Sequence, residues 1–237
     1  MRFLDIDSPL MQGLSKVADL MILNLLTVLC CLPIITVGPA LTALNYMSLK
    51  LVRNEECYIV KGYFKSFKEN FKQSTIIWLL MLFIAILLGM DFFIILSAES
   101  ETSGIMQILI FVAAFFWLCT ALYVFPVLAR FQNTIRATLK NALLMSIMQF
   151  PKTVLMAIAY LIPLVLFIYF FQVTPIVLFF GFSAPAWVSA KLYDKLFKKL
   201  EDKFIEEHGP IEPEVGEEDE HIFSDELDAA LQDKPVN

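Results

Sequence analysis

The sequence predicts an all-α integral membrane protein, a polytopic helix bundle followed by an acidic tail. Of its 237 residues, 58% are hydrophobic and 18% are charged, whereas a soluble domain is roughly half apolar and a quarter charged. Several apolar runs reach or approach the ~20 residues that a helix needs to cross a bilayer. The 22 phenylalanines and the few β-branched alternations favour helices over barrel strands.

Five membrane spans are predicted within a membrane domain of residues 1–200. They comprise residues 17–35, 75–98, 105–128, 153–171 and 173–190. The first span is preceded by Asp5 and Asp7 instead of a basic patch, and no small-residue cleavage site follows it. We therefore expect a retained span and not a cleavable signal.

The stretch after the first span leaves a second arrangement open. The chain continues past Pro33 and Gly38 into another apolar piece, residues 40–52, and a crossing by this piece would give six spans. The piece contains Asn45 and Lys50 and is short for a crossing. Five spans are therefore favoured, and six are the alternative.

Lysine and arginine residues predict the orientation, because they concentrate in cytoplasmic loops. Residues 50–72 contain six of them and residues 129–152 contain four, whereas the connections at 97–104 and at Gln172 contain none. Four lysines also follow the last span. The C-terminus is therefore expected in the cytoplasm. The N-terminus is expected outside if the first apolar stretch crosses once.

Two short segments resemble each other and predict an internal repeat. Residues 70–74 (Asn-Phe-Lys-Gln-Ser) open the second span, and residues 149–153 (Gln-Phe-Pro-Lys-Thr) open the fourth. Each follows a basic segment that we expect to form an amphipathic helix on the cytoplasmic side. Independent origin is the alternative, because amide, phenylalanine and basic residues commonly meet at membrane surfaces.

Residues suited to catalysis or metal binding are scarce. The two histidines, His208 and His221, lie after the last span, so no imidazole is available within the membrane as a base or ligand. The four cysteines lack zinc-site spacing, and no phosphate-cradling glycine loop occurs. We expect no enzyme activity, no catalytic residues, no cofactor and no metal.

Three polar residues inside the predicted spans are candidates for function. Asp91 lies in the outer third of the second span, where a carboxylate is costly and should face the bundle, pair or be protonated. It would then contact a proton or a substrate. Alternatively, it lies near the outer boundary and reaches water. Asp19 and Asn24 are expected at a similar depth in the first span.

The tail, residues 201–237, has 14 acidic and two basic residues. It is too acidic and too poor in apolar residues to fold alone, so we expect it to be disordered. Residues 224–231 are expected to form a short helix within it, with Phe223, Leu227 and Leu231 on one face. This helix would dock on a partner or on the basic loops, and a solvated tail is the alternative.

Several motifs carry a resemblance to a known family. They are residues 7–10 (Asp-Ser-Pro-Leu), 18–20 (Ala-Asp-Leu), 23–26 (Leu-Asn-Leu-Leu), 31–34 (Cys-Leu-Pro-Ile), 36–44 (Thr-Val-Gly-Pro-Ala-Leu-Thr-Ala-Leu), 64–68 (Phe-Lys-Ser-Phe-Lys), 70–73 (Asn-Phe-Lys-Gln), 129–131 (Ala-Arg-Phe) and 136–142 (Arg-Ala-Thr-Leu-Lys-Asn-Ala). Together they resemble the YesL-like integral membrane proteins of Gram-positive bacteria, a domain of unknown function. The resemblance covers residues 5–195, is more specific in the first hundred residues, and leaves out the tail.

The resemblance implies a cytoplasmic-membrane protein whose genes often accompany carbohydrate ABC importers and polysaccharide-degrading enzymes. It implies no catalytic residues. The leading hypothesis is an accessory or regulatory subunit for carbohydrate uptake. In it, Arg130, Arg136, Lys140 and the tail would contact ABC transporter subunits, other membrane proteins or a second copy of the chain. A small permease that uses Asp91 is the alternative. No nucleic-acid partner is expected, because topology and anionic lipid explain the basic loops.

Overall fold

The computed structural model describes residues 9–55, 58–97, 104–131, 133–170, 172 and 174–208. This part of the chain forms helices joined by short connections and contains no strand, so the predicted all-α class is confirmed. The chain divides into two compact units, Met1–Lys195 and Leu196–Asn237. Of the second unit, only the end of the last helix, up to His208, is described.

The described residues form nine α-helices. They are α1 (Pro9–Cys30), α2 (Val37–Arg53), α3 (Ile59–Glu69), α4 (Phe71–Ser97), α5 (Gly104–Arg130), α6 (Ile135–Met148), α7 (Phe150–Tyr169), α8 (Thr174–Phe180) and α9 (Ser183–His208). A short 3₁₀ helix, Ile34–Thr36, lies between α1 and α2.

Four of the helices are long and apolar enough to cross a membrane. The qualifying segments are Gly13–Cys30, Phe71–Ile95, Gly104–Arg130 and Phe150–Tyr169. A fifth crossing is obtained if α8 and the first part of α9, which meet at an angle of 48°, are taken as one broken span. The predicted multi-pass character is confirmed: by length and composition, up to five crossings qualify among the described residues.

The first candidate span ends earlier than the sequence predicts. α1 stops at Cys30, and Pro33, which has no backbone N–H to donate, follows in the turn. The Thr36 hydroxyl donates to the Cys30 carbonyl oxygen at 2.7 Å. Because the last carbonyl groups of a helix lack partners within it, this bond stabilises the end of α1.

Helix α2 runs back along α1 and lies at the centre of the packed core. Near the start of α1, Lys16 Nζ donates to Oδ1 of Asn54, just after α2, at 2.6 Å. Apolar side chains from α1, α2, α3 and α9 form one buried cluster, comprising Leu23, Ala43, Leu44, Met47, Leu51, Ile59, Tyr63 and Ala186. The apolar piece after the first span is therefore a buried helix antiparallel to α1.

Close packing between α2 and α4 requires glycine at position 38. A Cβ atom on Gly38 would overlap the Ser74 carbonyl oxygen and would lie 2.7 Å from the Trp78 Cβ. The Trp78 indole also donates to the Ile34 carbonyl oxygen at 2.8 Å. The first two turns of α4 are thus fixed against the turn between α1 and α2.

The two hinges that the sequence pairs as a repeat have matching hydrogen bonds. Between α3 and α4, Ser74 Oγ donates to the Asn70 carbonyl oxygen at 2.6 Å. Between α6 and α7, Thr153 Oγ1 donates to the Gln149 carbonyl oxygen at 3.1 Å. In both cases, a hydroxyl four residues after the hinge closes the first turn of the next helix. The resemblance between the two segments therefore extends to their local geometry.

Candidate functional site

The side chain of Asn24 on α1, one of the candidates predicted from the sequence, contacts the break between α8 and α9. Asn24 is fully buried. Its Oδ1 accepts from the backbone amides of Phe182 and Ser183 at 2.8 and 2.9 Å, and its Nδ2 donates to the Leu178 carbonyl oxygen at 2.7 Å. Since the first amides of a helix have no partners within it, the Asn24 side chain caps α9 from a different helix.

The local sequence explains why the helix breaks at this point. A Cβ atom on Gly181 would overlap the Val177 carbonyl oxygen, to which the Gly181 amide donates at 2.7 Å. Pro185 then lies in the first turn of α9, where its missing N–H has no cost. The helix therefore ends at glycine and restarts two residues before proline, with Asn24 supplying the missing polar partners.

Two further polar contacts connect α9 to α2. Arg53 Nε donates to Asp194 Oδ1 at 2.7 Å, and the two side chains are only 9% and 12% exposed. The buried Tyr193 phenol lies 3.5 Å from Asn45 Oδ1, at the limit of a hydrogen bond. Removing one partner of a buried ion pair strongly destabilises a protein. The contribution of Arg53 to stability therefore depends on Asp194, and the contribution of Asp194 depends on Arg53. The contacts that Asn24, Asn45 and Arg53 make with the end of α8, the break and α9 are termed the α9 polar contacts below.

Sequence reasoning did not predict the ion pair. Arg53 entered it only as one of the basic residues that mark the cytoplasmic side, and Asp194 was not singled out. One signal was present, because Asp194 is the one acidic residue among the lysines that follow the last predicted span. An isolated acid in such a basic segment indicates a specific partner, although the sequence does not say which one.

The other two intramembrane candidates lie apart from the α9 polar contacts. Asp91 is exposed in the last third of α4, and Asp19 is half-buried on α1. A groove between α4 and α5 close to Asp91 is apolar, and its lining includes Gly89, Phe92 and Phe111. The Asp91 side chain is not part of that lining.

The three basic candidates lie on the surface around α6. Arg130 at the end of α5 is exposed, and so are Arg136 and Lys140 on α6. Leu144 and Ile147 continue the same exposed side of the helix at helical spacing. Thr134 caps the start of α6, since its hydroxyl accepts from the Ala137 amide at 3.4 Å. The exposed residues Arg136, Lys140, Leu144 and Ile147 are termed the α6 face.

The remaining predictions concern the tail and metal binding. The predicted helix at 224–231, with Phe223, Leu227 and Leu231, lies outside the described residues. Within the described part of the chain, no group of three His, Cys, Asp or Glu side chains could hold a metal ion. Cys30, Cys31 and Cys119 are free thiols.

Comparison with known proteins recognises the N-terminal part of the chain. Residues 20–92 match the family model described as "Protein of unknown function, DUF624". The matched residues, 20–92, are similar to that family and are termed the DUF624 region below. The resemblance to YesL-like proteins is consistent with this match. The chain matches no curated protein and no solved structure.

The DUF624 region extends from α1 to the last third of α4. It contains Asn24, Asn45 and Arg53, which supply one side of each α9 polar contact. Their partners on α8 and α9, from Leu178 to Asp194, lie beyond the matched residues. The DUF624 region is therefore held to the later helices of unit Met1–Lys195 by polar side chains of its own.

Proposed function

We propose that the chain is a non-enzymatic membrane protein that serves as an accessory or regulatory subunit for carbohydrate uptake by an ABC importer. The resemblance to YesL-like proteins implies the carbohydrate context. The structure supports an accessory role through the way its polar groups are used. In the interior, the side chains of Asn24 and Arg53 bind other groups of the same chain, whereas a basic and apolar helix face is exposed on the surface.

The capping of α9 by Asn24 is the observation that carries the proposal. In many transporters, the free ends of discontinuous helices face the substrate or the coupling ion. Here, the Asn24 amide already binds two amides and one carbonyl group at the break. The Asn24 side chain therefore serves to hold α9 in place, which favours a scaffold over a substrate pathway.

The α6 face supplies the surface for a partner. Arg136 and Lys140 are exposed one turn apart, and Leu144 and Ile147 are exposed beyond them. A surface that combines arginine with exposed apolar side chains is typical of protein interfaces. We assign it to contact with an importer subunit that presents acidic residues beside an apolar patch.

Affinity purification of the full-length protein from gently solubilised membranes tests the proposal. ABC importer subunits should be recovered with the natural chain. A charge reversal, Arg136→Glu with Lys140→Glu, should lower their recovery about tenfold, which corresponds to ~1.4 kcal/mol of binding free energy. The matched control is Lys191→Glu with Lys195→Glu, an exposed pair one turn apart on α9, and it should retain recovery. Absence of importer subunits in every preparation would overturn the proposal.

A small permease is the second candidate, and the broken span formed by α8 and α9 favours it. Such a permease would use Asp91, the intramembrane carboxylate. Sugar uptake into liposomes that contain only the purified chain would support this function. If uptake is absent, or if Asp91→Asn leaves an observed uptake unchanged, the permease that uses Asp91 is excluded.

The basic loops also support an orientation in the cytoplasmic membrane. The lysines after Ser189 support a cytoplasmic C-terminus. The outside N-terminus expected from the sequence requires a single crossing before residue 54. The contact between Lys16 and Asn54 instead puts the start of α1 beside the end of α2. Since residues 50–72 mark the cytoplasmic side, we place the start of α1 on that side. Helix α2 then returns across the membrane, as in the six-span alternative.

A further inference from the structure

Helix α3 and the first turn of α4 expose a row of three lysines. Lys65, Lys68 and Lys72 are exposed and follow one another at helical spacing. The hinge at Asn70 preserves this spacing, because its amide donates to the Ser66 carbonyl oxygen and its carbonyl accepts from the Ser74 amide, each four residues away. The three ammonium groups therefore share one side of a nearly continuous helical segment.

A row of phenylalanine rings lies beside these lysines. Phe64 and Phe71 are each 39% exposed, and Phe67 lies between them. The ring centroids are 6.4 Å apart for Phe64 and Phe67 and 5.6 Å apart for Phe67 and Phe71. The aromatic row thus crosses the hinge from α3 into the span-forming helix α4. Lys65, Lys68, Lys72, Phe64 and Phe71 together are termed the α3 surface.

The opposite side of α3 is fixed to the core. Ile59, Tyr63 and Ser66 are buried, and the Tyr63 phenol donates to the Ala40 carbonyl oxygen at 3.4 Å. Burial raises the pKa of the Tyr63 phenol well above its ordinary value, so this group remains a protonated donor. The α3 surface is therefore presented by a helix that packing holds in position.

We propose that the α3 surface binds the headgroups of anionic phospholipids. The lysines would meet the phosphate groups, while Phe64 and Phe71 would enter the boundary between headgroups and acyl chains. The candidate span of α4 begins at Phe71, which puts the surface at the edge of the bilayer. An acidic protein segment would match the charge, but it would not account for an aromatic row that continues into a membrane span.

Lipid titration of the full-length protein in detergent, followed by native mass spectrometry, tests this inference. Phosphatidylglycerol should bind at least about tenfold more tightly than phosphatidylcholine, since each lysine near an anionic surface contributes about fivefold. The variant Lys65→Gln, Lys68→Gln, Lys72→Gln should bind phosphatidylglycerol no better than phosphatidylcholine. The variant with arginine at the same three positions should still bind phosphatidylglycerol more tightly than phosphatidylcholine.

A second set of basic residues provides the matched control. Neutralising Arg136, Lys140 and Lys152 to glutamine removes the same charge elsewhere in unit Met1–Lys195 and should lower phosphatidylglycerol affinity clearly less than the variant of the α3 surface does. Equal affinity of the natural chain for both lipids, or equal loss with both neutralised sets, would overturn the inference. If the triple variant of the α3 surface aggregates, Lys68→Gln alone should weaken phosphatidylglycerol binding about fivefold. An unchanged affinity would again contradict it.

Discussion

Asn24 in α1 and Ser183 at the start of α9 are joined by a 2.9 Å hydrogen bond although they are 159 residues apart in the chain. The same Asn24 oxygen accepts from the Phe182 amide at 2.8 Å. One side chain therefore satisfies the first amides of a helix that begins inside the bundle. The position of α9 depends on a residue of the DUF624 region.

Replacing Asn24 by leucine should destabilise the protein. The variant keeps a similar volume but leaves the amides of Phe182 and Ser183 without partners, and each buried unsatisfied group costs about 1–3 kcal/mol. The apparent unfolding temperature in detergent should fall by roughly 5 °C or more. Leu25→Ala, at the exposed neighbouring position, should change it by less than about 2 °C. Equal unfolding temperatures for both variants would refute the capping role.

The ion pair between Arg53 and Asp194 predicts strong coupling between two substitutions. Arg53→Met or Asp194→Leu alone removes one member of the buried ion pair and should cost about 3–5 kcal/mol. The double variant should recover most of that loss, because an apolar pair of similar volume replaces a buried ion pair at little cost. Unfolding of all four proteins in detergent gives the double-mutant cycle. Additive losses would show that the two residues act independently.

Substitution by alanine should have opposite effects on stability at two glycine positions. Gly38→Ala should lower stability by more than about 2 kcal/mol, because its Cβ would collide with the backbone of Ser74. Gly89→Ala, also within a helix, meets no heavy atom within 4 Å and should be neutral or raise stability by up to about 1 kcal/mol. Thermal unfolding of the two variants provides the comparison. A tolerated alanine at Gly38 would contradict the observed contact between α2 and α4.

The proximity of Lys16 and Asn54 predicts that Gly13 and Tyr58 face the same side of the membrane. In a cysteine-free chain, single cysteines at these two positions should react with a membrane-impermeant maleimide only after cell lysis. A cysteine at Met106, which follows the base-free loop and is exposed, should react in intact cells. Reaction of the Gly13 variant in intact cells would contradict this topology and support the outside N-terminus expected from the sequence.

The sequence predicts the spans because hydropathy and length encode them directly, and the segments Phe71–Ile95 and Gly104–Arg130 match the predictions closely. It also singles out Asn24, but as a candidate functional residue at the depth of Asp91 and not as the cap of α9. The partner itself could not be predicted. Contacts such as Arg53 with Asp194, 141 residues apart, depend on how the helices pack, and hydropathy carries no information on packing. Helix α1 ends at Cys30, shortly before Pro33. The proline marks a break in the sequence, but only the fold shows that the chain turns back there.

Photocrosslinking from the α6 face tests the accessory role most directly. Leu144 on this face is 53% exposed, and Leu161 on the span-forming helix α7 is 52% exposed, so the two positions form a matched pair for a photoreactive amino acid. In cells that take up carbohydrate, the Leu144 variant should form a covalent adduct with an ABC importer subunit, and the Leu161 variant should not. Absence of that adduct at Leu144, in cells where the importer and the variant are both present, would contradict the proposed function.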